Sequence, residues 1–272
     1  MFGLIGNRSD LAGRLLRASA AVLRATTEPG NPVGWGVGFF QSGEVLLQRR
    51  PSDSRPVVDV TEGLSDIRTD ALIAHVRWPA IGSLRTENTQ PFRYRAWLFA
   101  QTGTVNGFER LGERLLASQP DFLRRNVRGE TDAELCFYLF LSFLHDAGHL
   151  HAQRVDPRHV RDALVSSAAL IDRLSAEEGH APNVGDVMVC NGEHLLAVHR
   201  SGDMAYQEVA GRQAVEELLG ADSRDAPIAN VDQTRYTIVA SGLGSSPSGW
   251  TSVGDRVIVS LARDAPPHIE TL

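Results

Sequence analysis

Lysine is absent from this 272-residue sequence, so all 27 basic residues are arginine. That excludes chemistry built on a lysine amine, such as Schiff-base formation or a phosphate-loop lysine. Cysteine is scarce: there are two, Cys136 and Cys190. Two thiols cannot make a disulfide framework or a four-cysteine zinc site. Each lies in an apolar stretch, Cys136 within Glu134–Phe140 and Cys190 at the end of Val187–Cys190. Both read as small buried hydrophobes. No apolar run approaches the roughly 20 residues that span a bilayer, and the N-terminus lacks the continuous apolar core of a signal peptide. Excess positive charge is also missing: 27 basic residues face 33 acidic ones, a net of −6. Nucleic acid is therefore not expected as a partner, since such proteins present a basic face. These absences point to a cytoplasmic protein with neither a membrane nor a nucleic-acid partner.

What is present belongs to a globular chain: 42% hydrophobic residues, 22% charged, 25 Gly and 13 Pro. A chain of this length buries roughly three-quarters of the surface its unfolded form exposes. No repeat, low-complexity tract or long linker divides it, which predicts one domain over residues 1–272. Ser9 and Asp10 are placed to cap a helix running to about Thr27, with Leu11, Leu15, Leu16, Val22 and Leu23 on its apolar face. Glu28–Pro32 then breaks the chain. Short β-rich runs follow at Val37–Phe40, Val45–Gln48, Ala71–Val76 and Ala96–Phe99. Residues 109–126 read as helical. Thr131 is a cap for an apolar helix from Asp132 to about His145, with Gly148 as its stop. Asp156-Pro157 opens another helix to about 178, as an N-cap followed by proline at the first helical position. Further strands are expected within 185–208 and 235–261. Strands, then helices, then strands predict an α+β fold of helices on antiparallel sheets.

Two local patterns invite a ligand and are set aside. Gly34-Trp35-Gly36-Val37-Gly38 is glycine-rich, but a dinucleotide loop needs a strand before it and a helix after it. Here a turn precedes and a strand follows, so close backbone approach at a sheet edge is the better account. His145, His149 and His151 suggest a metal, yet Gly148 ends the helix that would align the first two. They read as a solvated helix end, and no metal or cofactor is expected. Trp250, beside a glycine, reads as structural packing.

A longer signal is an ordered series of segments. It runs Asn31-Pro32-Val33-Gly34-Trp35-Gly36, then His75-Val76-Arg77-Trp78-Pro79-Ala80-Ile81-Gly82, then Asn88-Thr89-Gln90-Pro91-Phe92. Next come Trp97–Val105, Gly129-Glu130-Thr131-Asp132-Ala133-Glu134 and Tyr236–Ser241, with Trp250 and Val253 behind. In order, spacing and chemistry the series resembles the class II glutamine amidotransferases, in their subgroup of small stand-alone domains. The resemblance covers nearly the whole chain. It implies an N-terminal-nucleophile (Ntn) hydrolase fold, an αββα sandwich of two antiparallel sheets flanked by helices.

The resemblance also implies roles. The family's nucleophile is a cysteine directly after the initiator methionine, with its own α-amine as general base. An Asn-Gly pair supplies oxyanion donors. An arginine grips the glutamine α-carboxylate and an aspartate its α-ammonium. Arg77 matches that arginine, Asp132 that aspartate and Gly103 that glycine, with Trp78 beside them. Five positions depart: Phe2 lies where the nucleophile is expected, Gln101-Thr102 stands where the family has His-Asn before the oxyanion glycine, Ala80 replaces a threonine, and Gln90 replaces the histidine of Asn-x-His-Pro-Phe. Losing one oxyanion donor costs about 10²–10³ in rate, and without a nucleophile there is no covalent route. The pattern implies a pseudoenzyme that binds an amino-acid-like ligand or a protein partner. The alternative is an active amidotransferase or amide hydrolase whose upstream start restores a Met-Cys. A third reading leaves no pocket, with Arg77 and Asp132 closed on each other as an internal ion pair.

Overall fold

The computed structural model describes residues 1–26, 33–78, 81–183, 185–220, 222 and 228–272. The segment Glu28–Pro32, read as a break, and Pro79 and Ala80 lie outside the described residues. The strands of the larger sheet are β1 (Phe2–Gly6), β3 (Val33–Gln41), β4 (Glu44–Asp53), β6 (Ala71–Arg77), β11 (Met204–Ala210), β12 (Arg235–Ser241) and β13 (Thr251–Val253). Their order is β13-β11-β12-β1-β6-β3-β4, antiparallel throughout. The second sheet contains β7 (Phe92–Tyr94), β8 (Trp97–Gln101), β9 (Val187–Cys190), β10 (His194–His199), β14 (Val257–Ala262) and β15 (Ala265–Thr271), ordered β15-β14-β10-β9-β8-β7. A two-residue pair, β2 (Ala25–Thr26) with β5 (Val57–Val58), lies apart from both.

Alternation along the strands builds the layers. In β1, Ile5 faces the other sheet, joining Ile73 and Val239 of its own sheet to Leu98, Ala100, Met188 and Leu195 opposite. Phe2 and Leu4 face outward with Val37, Leu72 and Ile238, against α1 (Ala12–Ala18), α2 (Ala20–Leu23) and α7 (Gly211–Leu219). On the far side, α3 (Phe108–Ala117), α5 (Asp132–Asp146) and α6 (Pro157–Glu177) cover β8, β9, β10 and β14 through Phe99, Phe137, Phe140, Val160, Leu164 and Leu196. The result is the expected α+β sandwich, helix–sheet–sheet–helix. Helix α5 is apolar on nearly every side because neighbours enclose it: α4 (Asp121–Arg124), α3, α6 and β8 all pack on it.

Several local expectations change. The first helix is two short pieces that break at Ser19 and end at Leu23, and no side chain caps its start. Asp10 is unavailable as a cap because the Arg8 guanidinium holds both its oxygens, at 2.9 and 2.7 Å. The helical reading of 109–126 divides at Gln119-Pro120 into α3 and α4. The caps at Thr131 and Asp156 are present as read: their side chains accept the backbone N–H of Glu134 and Arg158. Strand β3 runs straight through its glycines and is not at the sheet edge, which is β4. Close approach does explain Gly36, where a Cβ would lie 2.3 Å from the Gln90 carbonyl oxygen.

Candidate active site

Because β1 runs antiparallel to both β12 and β6, its first residue lies beside the end of β12 and the middle of β6: Phe2 pairs with Ala240 and with Ala74, and β6 continues past it to Arg77. The end of β8 and the start of α5 approach from the second sheet. Between them lies a cavity of about 620 Å³. Phe2, Arg77, Trp78, Thr102, Gly103 and Asp132 all line it, so residues spread over 130 positions meet in one place.

Asp132 occupies the first turn of α5, next to the cap at Thr131. Its Oδ2 accepts the Val105 N–H at 2.7 Å, while burial pushes its pKa above the ordinary carboxylate value. Arg77, at the end of β6, is 6% exposed. Its guanidinium donates to the carbonyls of Ser83 (3.0 Å), Gly82 (2.9 Å) and Ile81. Burial lowers its pKa and the nearby Asp132 charge opposes that. The two do not form an ion pair with each other, so the cavity is not closed by an internal bridge. Three of the five guanidinium N–H groups are taken by the 81–83 turn, which leaves two for anything in the cavity.

Thr102 is held on both sides. Its N–H donates to the Asp186 carbonyl at 2.8 Å, and its Oγ1 accepts the Asp186 N–H at 2.9 Å. The hydroxyl hydrogen is not used in either of these bonds. Asp186 is fixed in turn by the fully buried His199, whose Nδ1 lies 2.8 Å from Asp186 Oδ1. Gly103 has φ +76°, a left-handed conformation that glycine adopts without strain. Trp78, 50% exposed, stands on the cavity wall.

The Asn88–Phe92 segment acts as scaffold. Asn88 donates to the Ser83 carbonyl at 3.0 Å and accepts the Glu130 N–H at 2.8 Å, tying the Arg77-bound turn to the approach of α5. Gln90 exchanges two hydrogen bonds with the Gln101 backbone, at 2.6 and 3.1 Å. Sequence reasoning assigned no role to His75, which also lines the cavity and is fully buried, with Nδ1 unpartnered. Desolvation, aided by the Met1 amino group and Arg77, pushes its pKa down to about 3. Its one signal in the sequence is its place two residues before Arg77.

The cysteines stand apart from this chemistry. Both thiols are buried and pushed up by desolvation, Cys190 to about 12 and Cys136 further. Of the three clustered histidines, His145 lies 3.3 Å from its neighbour Asp146 and His149 stacks on His159 at 3.8 Å. Among the described residues no group of three or more His, Cys, Asp or Glu side chains is arranged to hold a metal. Nor, among them, is any helix long and apolar enough to cross a membrane. Trp35 donates to Asp53 at 3.1 Å inside the structure, and Trp250 packs on the outer helix–sheet core.

The family model for class II glutamine amidotransferases matches residues 16–237. The chain belongs to that family. Among relatives, a Saccharomyces cerevisiae protein named "Probable glutamine amidotransferase DUG3" is 28% identical over 127 residues, covering 44% of this chain and 36% of the yeast protein. The chain spans between 30% and 59% of the length of the curated relatives it matches. Among solved structures, a "predicted glutamine amidotransferase" from Pseudomonas aeruginosa PA01 superposes with TM-score 0.63 at 19% identity, covering 97% of each chain. The glutamine phosphoribosylpyrophosphate amidotransferase of B. subtilis gives TM-score 0.55 at 12% identity, over 99% of this chain and 48% of that one. At these identities the structures speak for the fold, the Ntn-type αββα sandwich shared by the class II amidotransferase domains.

Proposed function

We propose that residues 1–272 form one amidotransferase-like domain that no longer hydrolyses glutamine and instead binds an amino-acid-like ligand in the 620 Å³ cavity. One observation carries the reading. The cavity keeps Arg77 and Asp132, unpaired with each other, while the residue at position 2, which lines the same cavity, carries only a phenyl ring. A phenyl group can neither attack an amide nor hold a proton. The two buried thiols support the same reading, since neither is available as a thiolate. Thr102 offers one hydroxyl donor where the family pattern has an asparagine amide. In this account Asp132 receives the ligand's ammonium group, and the two remaining Arg77 N–H groups its carboxylate. Gly103 and Trp78 complete the wall.

Calorimetry with glutamine, glutamate and asparagine tests the proposal, together with an assay for ammonia release. Binding without ammonia release is the expected result. A bound ligand raises folding stability by about 2.7 kcal/mol at a hundredfold excess over its Kd, which thermal denaturation reads independently. Asp132→Asn should abolish the effect. Arg77→Ala is the less informative variant, because it also frees three carbonyls of the 81–83 turn. Ammonia release that survives Cys136→Ala and Cys190→Ala together would refute the loss of catalysis.

A further inference from the structure

Among the described residues, three with charged side chains line the cavity, Arg77, Asp132 and Arg24, and Met1 adds its amino group. Arg24 follows α2 and comes from the helical layer outside the larger sheet, unlike Arg77 on β6 and Asp132 on α5. Its side chain is exposed, and it forms no ion pair with a described carboxylate, whereas Arg8, Arg14, Arg55 and Arg114 are each paired. An amino-acid head group bound at Arg77 and Asp132 brings one positive and one negative charge. It leaves the wall's balance unchanged, with Arg24 uncompensated. The cavity is also much roomier than a free amino acid requires. At about 620 Å³ it falls in the range that encloses ligands of drug-like size. The surplus space and the surplus positive charge call for the same thing, a ligand longer than glutamine whose far end is anionic.

We propose that the cavity selects an amino acid extended by a second anionic group, a carboxylate or a phosphate, and that Arg24 is the residue that reads it. This deepens the binding function proposed above and rests on it. Arginine suits the task, since its planar fork matches either oxyanion with two parallel hydrogen bonds. Val22, Leu23 and Leu243 line the same cavity and give the linking part of such a ligand an apolar wall.

The test compares four probes by calorimetry on the full chain: glutamine, γ-glutamylglycine, its C-terminal amide, and γ-glutamyl-aminomethylphosphonate. γ-Glutamylglycine and its amide differ by one charge and little else. The expected result is about tenfold tighter binding of γ-glutamylglycine than of its amide, weakening as salt is raised. Arg24→Gln should erase that preference while leaving glutamine affinity and melting temperature unchanged, because Arg24 is exposed and its side chain forms no hydrogen bond or ion pair with a described residue. Preference for the phosphonate over γ-glutamylglycine would assign the far group to a phosphate, and the reverse to a carboxylate. Equal affinity for γ-glutamylglycine and its amide, with glutamine still bound, would overturn the role of Arg24 and leave the binding function standing. Failure of all four probes to bind would overturn both.

Discussion

His75 shows what burial does to a single residue. An imidazole held near pKa 3 stays neutral in the folded chain at every pH above about 4, while in the unfolded chain it gains a proton near 6.5. The unfolded state therefore binds more protons between those values, and folding stability falls as the solution is acidified from about 6.5 toward 3. The slope approaches 1.4 kcal/mol per pH unit for one proton. Asp132, Glu134 and Asp186, raised by burial, act in the opposite sense. The cleanest measurement is therefore a comparison of variants. His75→Gln should lose less stability than the wild-type chain between pH 7 and pH 5 in chemical denaturation. Equal losses would mean that His75 is protonated in the folded state.

Among elements, α5 sets the position of Asp132, and its start depends on a local arrangement. Thr131 Oγ1 accepts the Glu134 N–H at 3.3 Å, and the Glu134 carboxylate reaches back to the N–H groups of Arg128 and Gly129 at 3.0 and 2.6 Å. Thr131→Ala should cost about 1 kcal/mol of stability, and Glu134→Gln should weaken the loop before the helix. Denaturant melts would detect the first, and faster amide exchange at Arg128 and Gly129 the second. This helix and α6 were legible in the sequence because their caps are residue choices with local consequences. For the first helix the apolar face was legible, but the cap and the break were not, since Arg8 captures the would-be cap Asp10 and the sequence holds no sign of that competition. Helix α7 and strand β15 were missed as well. β15 carries Pro266 and Pro267 and is exposed at most positions, which hides it from a search for buried alternation; an edge strand tolerates both features. The site was legible through the resemblance alone, for no period links positions 2, 77, 102 and 132. The places of His75 and Arg24 on the cavity wall, and the Asp186–His199 pair behind Thr102, became visible only once the strands were assembled.

At the scale of the whole molecule, the pairing of β1 has a consequence in time. Phe2 lies beside Ala240 and Gly6 beside Tyr236, so a central strand of the larger sheet comes from the very beginning of the described chain and one partner from near its end. Contacts of such sequence separation close a loop of more than two hundred residues, and that entropy is lost before the contact returns anything. A chain emerging from the ribosome must hold Phe2, Leu4 and Ile5 without their β12 neighbours until residues 236–240 have been made. The helices on the second sheet, whose partners are closer in sequence, are free to form earlier. A protein truncated after residue 230 should accordingly retain helical signal in the far ultraviolet yet lack a cooperative melt, and pulsed hydrogen exchange during refolding should protect Leu4 and Ile5 late. Nascent copies would then carry an apolar strand uncovered while more than two hundred further residues are added, which makes this fold a natural client for chaperones that bind short extended hydrophobic segments.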